Sequence, residues 1–186
     1  HMLIELHAAE RIYRQCLEEI EAKGYSDHLD IVTTIYRHFI TKTCYRNSFL
    51  YGVVRWFGPN VVLETGVHFG ASSAFILSAL AFNGRGKLYS IDLPNASYVM
   101  ADGRIHSDPL PVGAEPGFVV PLNLRDQWKL TLGDVKDVLP HMLQQIPCVD
   151  LFFHDSAHTY EVMRFEYETI SQMMFDTSVN MINPPS

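Results

Sequence analysis

The sequence is poor in cysteine, in positive charge and in long apolar runs, and each shortage argues against a class of protein. Cys16, Cys44 and Cys148 are far apart and outside any paired spacing, so they predict reduced, partly buried side chains rather than a disulfide framework or a zinc cluster. The 14 Lys and Arg are outnumbered by 21 Asp and Glu, so we expect neither a nucleic-acid nor a membrane partner. The uncharged stretch 66–84 is interrupted by His68, glycines and serines, which indicates a buried loop and helix rather than a membrane span.

The beginning of the sequence carries no basic segment followed by an apolar core, so we expect no signal peptide and a cytoplasmic protein. With 186 residues, of which 47% are hydrophobic, the chain is long enough for one soluble domain with a substantial core. These properties favour a small-molecule partner.

The pattern of hydrophobic residues changes near residue 58 and divides the chain into two parts. Helical spacing of apolar residues over Leu3–Lys23 and Leu29–Tyr51 predicts an N-terminal helical cap at 1–58, whose first helix serves as either a cap or a homodimer contact.

In 59–186, short apolar runs alternate with helical patterns. The predicted strands are 61–65, 87–92, 128–132 and 149–153, and the predicted helices are 71–82, 135–145 and 159–174. This order predicts an α/β, Rossmann-like, doubly wound and mostly parallel sheet. Only 175–186 follow the last helix, so we expect the C-terminal strands to be incomplete.

The stretch from Pro94 to Pro121 holds five of the ten prolines and three glycines, too many for a regular element. We expect either a lid or substrate loop, or a disordered insertion, since the sequence does not separate these two possibilities.

Polar residues follow the first predicted strand. The segment VVLETGVHFGASS places Glu64 near the strand end, Gly66 and Gly70 in a turn, and Ser72 and Ser73 at the start of a helix. Glycines let a ligand approach the backbone closely, and a helix N-terminus offers unpaired N–H groups to a carboxylate. The alternative to a ligand-binding site is an ordinary strand-to-helix turn in which the glycines allow tight packing. A histidine stands where a dinucleotide fingerprint requires glycine, which disfavours a nicotinamide cofactor.

Two further strand ends reach the same edge of the predicted sheet. Asp92 closes the second strand, where doubly wound folds present an acid to ribose hydroxyls. Gly133 and Asp134 follow the third strand, although Asp134 is equally suited to capping the next helix.

The fourth strand delivers His154, Asp155 and His158 to this edge, in the segment VDLFFHDSAHTYE. Such residues suit metal binding and proton transfer. The alternative is that Asp155 or Ser156 caps a helix and the histidines are solvated. The break between strand and turn argues against a zinc pair of the two histidines.

Taken together, these segments resemble the class I S-adenosylmethionine-dependent methyltransferases, in particular the small O-methyltransferases with an HDSxH-type fourth strand that are related to catechol O-methyltransferase. ETGVHFGASS, SIDLP, VVPLNLRDQWKLTLGD and DLFFHDSAHTYEVMRFEYET occur in the expected order within about residues 60–174. The set is fairly specific, whereas each segment alone is not.

The resemblance implies S-adenosyl-L-methionine as the cofactor and assigns a role to each candidate residue. Glu64, Gly66 and Gly70 would surround its amino-acid portion, with Ser72 or Ser73 near the helix start, Asp92 on the ribose hydroxyls, and Gly133 and Asp134 beside the adenine. His158 matches the general base, and Asp155 matches a ligand of a divalent metal, most simply Mg²⁺. By the same resemblance, FDTSVN offers Asp176 as the further metal ligand, with Asn180 beside it, although the strand and glycine turn that precede such ligands in the family are missing.

The implied activity is transfer of a methyl group from a sulfonium to a hydroxyl of a small metabolite or sugar by in-line displacement. A metal or His158 would lower the hydroxyl pKa or accept its proton. The alternatives are a related cofactor-binding enzyme of the same superfamily and a non-catalytic cofactor-binding or interaction module of the same fold.

Overall fold

The computed structural model describes residues 49–95, 97–99, 103–107 and 109–174, together with Arg11 and Asn47. The predicted helix Leu3–Lys23 apart from Arg11, most of the predicted helix Leu29–Tyr51, and Asp176 lie outside these residues.

Six strands and four helices make up the described part. The strands are β1 Val61–Thr65, β2 Lys87–Asp92, β3 Ser97–Val99, β4 Ile105–Ser107, β5 Trp128–Leu132 and β6 Leu151–His154. The helices are α1 at 49–57, α2 Ala71–Asn83, α3 Val135–Leu143 and α4 Tyr160–Met174, with a 3-10 helix at Leu122–Gln127. None of the helices in the described ranges is long and apolar enough to cross a membrane.

Four of the strands form one parallel sheet in the order β5-β2-β1-β6. All residues of β1 are buried, as expected for a central strand covered on both faces. Parallel neighbours require crossover connections, and α2 supplies the one between β1 and β2, while α3 lies between β5 and β6. The predicted α/β doubly wound architecture is therefore confirmed.

Alternate residues of the strands enter two separate cores. Val62 and Leu88 pack with α2 and with Leu50, Tyr51 and Val54 of α1. On the other face, Val61, Leu63 and Ile91 pack with the apolar sides of α3 and α4, including Leu139, Met142 and Ile170. Because side chains alternate across a strand, this division shows that helices cover both faces of the sheet.

The prediction that 94–121 holds no regular element is wrong. β3 and β4 pair as an antiparallel two-stranded sheet, because the prolines lie outside both strands and Gly103 stands between them with a φ of 81°. Further along, Phe118, Val119 and Val120 are buried in the first core. That part of the stretch is neither an open lid nor a disordered insertion.

The predicted bounds of the sheet strands hold except at β6, predicted at 149–153 and found at Leu151–His154. The Asp150 carboxylate accepts hydrogen bonds from the N–H groups of Asn60 and Val61 at 2.7 and 3.0 Å. This contact ties the residue just before β6 to the start of β1.

Candidate functional site

Backbone hydrogen bonds bring the residues that follow the strands to one edge of the sheet. The Gly66 N–H donates to the Ile91 carbonyl at 2.9 Å, and the Gly133 N–H donates to the Asp92 carbonyl at 2.9 Å. The Asp155 N–H donates to the Thr65 carbonyl at 2.7 Å. The segments that follow β1, β5 and β6, with Gly66, Gly133 and Asp155, therefore lie beside the ends of neighbouring strands at the carboxyl edge of the parallel sheet.

Glu64 lies beneath this edge with its side chain fully buried. Ser72 Oγ donates to Oε1 at 2.6 Å, while Ser73 Oγ and Ser90 Oγ donate to Oε2 at 2.6 and 2.8 Å. Burial raises the pKa of Glu64 from 4.5 to about 7; the three hydroxyl groups oppose that rise and the charge of Asp155 adds to it. Ser72 and Ser73, which were expected near a ligand, thus bind Glu64.

The turn between β1 and α2 needs both of its glycines. Gly66 has a φ of 84°, and a Cβ there would stand 2.2 Å from the carbonyl oxygen of Asp155. Gly70 has a φ of 93°, and its Cβ would stand 2.7 Å from Gly117 Cα. Both glycines approach the protein's own backbone, which supports the tight-packing alternative for this turn.

Asp92 holds the same turn from the end of β2. Its Oδ1 accepts hydrogen bonds from the N–H groups of Val67 and His68 at 2.8 and 3.1 Å, and the residue is only 8% exposed. A carboxylate has further acceptor capacity, so Oδ2 is the atom suited to a ribose hydroxyl.

Asp134 caps α3, since its Oδ1 accepts from the Lys136 N–H at 2.8 Å. Helix capping is the role that the sequence left open for Asp134 as the alternative to a ligand contact. The side chain is exposed and stands next to Gly133 at the end of β5.

A second hydrogen-bonded group lies after β6. Fully buried Glu166 accepts from Thr65 Oγ1 at 2.9 Å and from Ser156 Oγ at 2.6 Å, and its Oε2 lies 2.6 Å from His154 Nδ1. His154 Nε2 lies 3.1 Å from His158 Nδ1. The two histidines therefore contact each other directly, although the chain changes from strand to turn between them.

His158 stands at the outer end of this group. Its side chain is 56% exposed, and its Nε2 lies 3.7 Å from Asp155 Oδ1. The alternative of fully solvated histidines does not hold, because the side chain of His154 is only 6% exposed.

Glu166 and Ser90 were both missed in the sequence. Glu166 occurs at helical spacing between Val162 and Ile170, so an acid interrupts the apolar face of α4. Ser90 interrupts the apolar strand β2 in the same way. A polar residue on a buried face was the signal that could have identified them.

The expected metal site is not complete in the described part of the chain. No group of three or more His, Cys, Asp or Glu side chains there could hold a metal ion. Asp155 supplies one carboxylate and Asp176 lies outside the described residues. Cys148 is free and partly buried, whereas Cys16 and Cys44 lie outside the described residues.

The sequence matches one known family. A family model described as a methyltransferase domain matches residues 63–183, which is more than half of the chain. A search of curated proteins finds no match.

Solved structures show the same fold. CalS11, a calicheamicin methyltransferase, is 20% identical with a TM-score of 0.53, and the alignment covers 92% of this chain and 74% of that one. Its apo form, described as a TDP-rhamnose 3'-O-methyltransferase, is 17% identical with a TM-score of 0.50 and the same coverage. The Bacillus cereus O-methyltransferase in complex with SAH is 17% identical with a TM-score of 0.49, over 70% of this chain and 51% of that one. The chain thus spans about half the length of the Bacillus cereus protein.

Proposed function

Because this chain belongs to the methyltransferase domain family, we propose that it transfers a methyl group from S-adenosylmethionine to a hydroxyl of a small metabolite or sugar. The observation that carries the proposal is the family match, which includes every candidate site residue. The shared carboxyl edge supports it, since ligands of open α/β sheets bind at that edge. A cytoplasmic location and a homodimer remain predictions from the sequence.

The donor chemistry of the edge fits this cofactor. Ribose hydroxyls are hydrogen-bond donors, and we assign them to Asp92 Oδ2, because Oδ1 already accepts from the turn. Gly133 and Asp134 are assigned to the adenine, while Gly66 and Gly70 shape the turn that faces the amino-acid portion. Glu64, Ser72 and Ser73 support that turn from beneath.

The transfer requires alignment and removal of one proton. S-adenosylmethionine, when bound, would supply a methyl group on its sulfonium sulfur. The acceptor hydroxyl oxygen would bond to that methyl carbon in line with the carbon–sulfur bond that breaks, which leaves S-adenosylhomocysteine as the neutral thioether. The hydroxyl proton passes to His158 Nε2, the ring nitrogen that faces away from His154. The rest of the edge contributes by holding the two reactants in position.

A divalent cation, most simply Mg²⁺, is an additional component of the proposal with Asp155 and Asp176 as its ligands. No chemical step is assigned to it, since the described residues hold only Asp155 of this pair. Activity lost in EDTA and restored by Mg²⁺ would support these ligands. Full activity in excess EDTA would remove both from the proposal.

The alternative is a non-catalytic cofactor-binding or interaction module. The observation that favours it is that Gly66, Gly70 and Asp134 all make contacts within the protein itself. Measurements that separate binding from transfer decide between the two.

The test is calorimetric titration with S-adenosylmethionine and, separately, NAD, with Asp92→Asn and His158→Ala as variants. We expect selective binding of S-adenosylmethionine. Asp92→Asn should weaken it by about 10-fold or more, the loss typical of a hydrogen bond to a charged group. His158→Ala should leave affinity within about 2-fold but slow transfer by about 100-fold.

The matched control is Asp137→Asn, which neutralises an exposed acid in the first turn of α3 and should leave binding unchanged. Equal weakening by Asp92→Asn and His158→Ala contradicts the two roles. Binding without transfer to any hydroxylated acceptor supports the non-catalytic module, and no binding by the folded protein contradicts the proposed cofactor.

A further inference from the structure

Glu166 is a buried carboxylate that contacts the ring of His154. Ser156 Oγ donates to Oε1 and Thr65 Oγ1 donates to Oε2, and Oε2 also lies 2.6 Å from His154 Nδ1. An ionised carboxylate only accepts hydrogen bonds. With Glu166 ionised and the ring of His154 neutral, His154 carries its proton on Nδ1 and its lone pair on Nε2.

The same argument extends to the next ring. His154 Nε2 lies 3.1 Å from His158 Nδ1. Since the first nitrogen presents a lone pair, the second must donate, so His158 carries its proton on Nδ1. Its own lone pair is then on Nε2, at the exposed end of the chain of hydrogen bonds.

We propose that Glu166 and His154 are positioning residues that hold His158 with its proton on Nδ1 and its lone pair on Nε2. This inference rests on the proposed function, in which Nε2 accepts the hydroxyl proton. Without a partner at Nδ1, either tautomer of His158 would be available, and only one of them can accept a proton at Nε2.

The arrangement also fixes the orientation of an exposed side chain. His158 belongs to residues 155–159, which have no regular structure between β6 and α4. Its partner His154 ends β6 with its side chain 6% exposed, and Glu166 anchors that ring from α4. The chain of hydrogen bonds therefore attaches a loop residue to the sheet and a helix, which restricts the directions in which it can point.

Asp155 is compatible with this tautomer. Its Oδ1 is 3.7 Å from His158 Nε2, longer than a hydrogen bond, so the contact does not require a proton on Nε2.

The first experiment reads the tautomers in the full chain without any methyl transfer. Long-range ¹H–¹⁵N correlation spectra of ¹⁵N-labelled protein at pH 8 distinguish protonated from unprotonated ring nitrogens, and His158→Ala and His154→Asn assign the signals among the nine histidines. We expect both rings to carry the proton on Nδ1. A wild-type His158 with its proton mainly on Nε2 overturns the inference.

Two variants of the Glu166 contacts form a matched pair. Glu166→Gln keeps the size of the side chain but adds donors, so it should allow both tautomers of His158. Ser156→Ala removes one donor to Oε1 of the same carboxylate and leaves the contact with His154 in place. Its spectra should match the wild type. Unchanged tautomers in Glu166→Gln also overturn the inference.

Kinetics then test the functional consequence. Glu166→Gln should lower kcat by about 10- to 100-fold with KM and cofactor affinity within about 2-fold, whereas Ser156→Ala should leave kcat nearly unchanged. Equal losses of kcat in both variants, in proportion to their losses of Tm, would indicate a merely structural carboxylate. A wild-type protein that transfers no methyl group contradicts the proposed function, while its histidine spectra still decide the tautomers.

Discussion

Among single residues, Glu64 has an environment that ties its ionisation to folding. The carboxyl group is fully buried, and three hydroxyl groups contact it without restoring an ordinary acidity. Burial raises its pKa from 4.5 to about 7. The folded protein consequently keeps a proton that the unfolded chain releases at a lower pH.

The stability of the protein should therefore fall as pH rises from 4.5 towards 7. Below pH 4.5 the side chain is neutral in both states. Between pH 4.5 and about 7 the unfolded chain releases the proton while the folded protein keeps it, so the free energy of unfolding falls as pH rises. Above about pH 7 the carboxyl group is ionised in both states and the fall ends. The raised pKa corresponds to about 3 kcal/mol in the free energy of unfolding. Urea unfolding of the wild type and Glu64→Gln from pH 4 to pH 8 measures it.

Glu64→Gln provides its own control, because the substituted side chain is neutral at every pH. Wild type minus variant should give a free-energy difference that decreases with rising pH and then levels off. A difference that stays constant across this range would show that Glu64 has an ordinary pKa in the folded protein.

Sequence reasoning found the residues that occur at strand ends but not those that support them. Glu64, Asp92 and His158 were found because parallel topology brings strand ends to one edge. Glu166 was missed because glutamate is ordinarily exposed on a helix, and its contact with His154 depends on how α4 packs against the sheet. Ser90 was missed for the same reason, since its partner Glu64 lies on the neighbouring strand.

At the scale of elements, the turn between β1 and α2 depends on close backbone approach as well as on glycine conformation. Gly66 and Gly84 both have a positive φ, at 84° and 67°. A Cβ on Gly66 would meet the backbone of Asp155, whereas one on Gly84 would have nothing within 4 Å. Comparing the two positions therefore separates the free-energy cost of a positive φ from the cost of a steric clash.

Gly84→Ala should cost about 1 kcal/mol in the free energy of unfolding, from left-handed strain alone. Gly66→Ala should cost about 3 kcal/mol or more, because the turn or the Asp155 backbone must also move. Denaturant unfolding of both variants measures the difference. Equal costs would mean that β1 and β6 separate easily at this edge.

The elements themselves were predicted well where hydrophobic period alone decides them. β1, β2 and β5 have the predicted bounds. β1 is buried along its whole length and β2 along most of it, as apolar runs of parallel strands usually are, whereas β5 lies at the edge of the described sheet with Lys129 and Leu132 exposed. β3 and β4 were not predicted, since two strands of three residues are too short to show a period, and proline content pointed the other way.

At the scale of the whole molecule, one chain of hydrogen bonds crosses the sheet. Trp128 Nε1 on β5 donates to Ser90 Oγ on β2 at 2.9 Å, and Ser90 donates to Glu64 on β1. The Trp128 ring also lies against Gly117, where a Cβ would stand 2.1 Å from the ring. The buried stretch after β4 and the sheet are thus packed around one tryptophan.

The two tryptophans of the chain form a matched pair for testing this packing, because Trp56 is 87% exposed. Trp128→Phe removes the indole N–H and leaves buried Ser90 Oγ without that donor, so the free energy of unfolding should fall by about 2 kcal/mol. Trp56→Phe should change it by less than about 0.5 kcal/mol. Far-UV circular dichroism during urea unfolding measures both without relying on tryptophan fluorescence. A loss for Trp128→Phe as small as that expected for Trp56→Phe would show that the stability of the sheet does not depend on the hydrogen bond between Trp128 and Ser90.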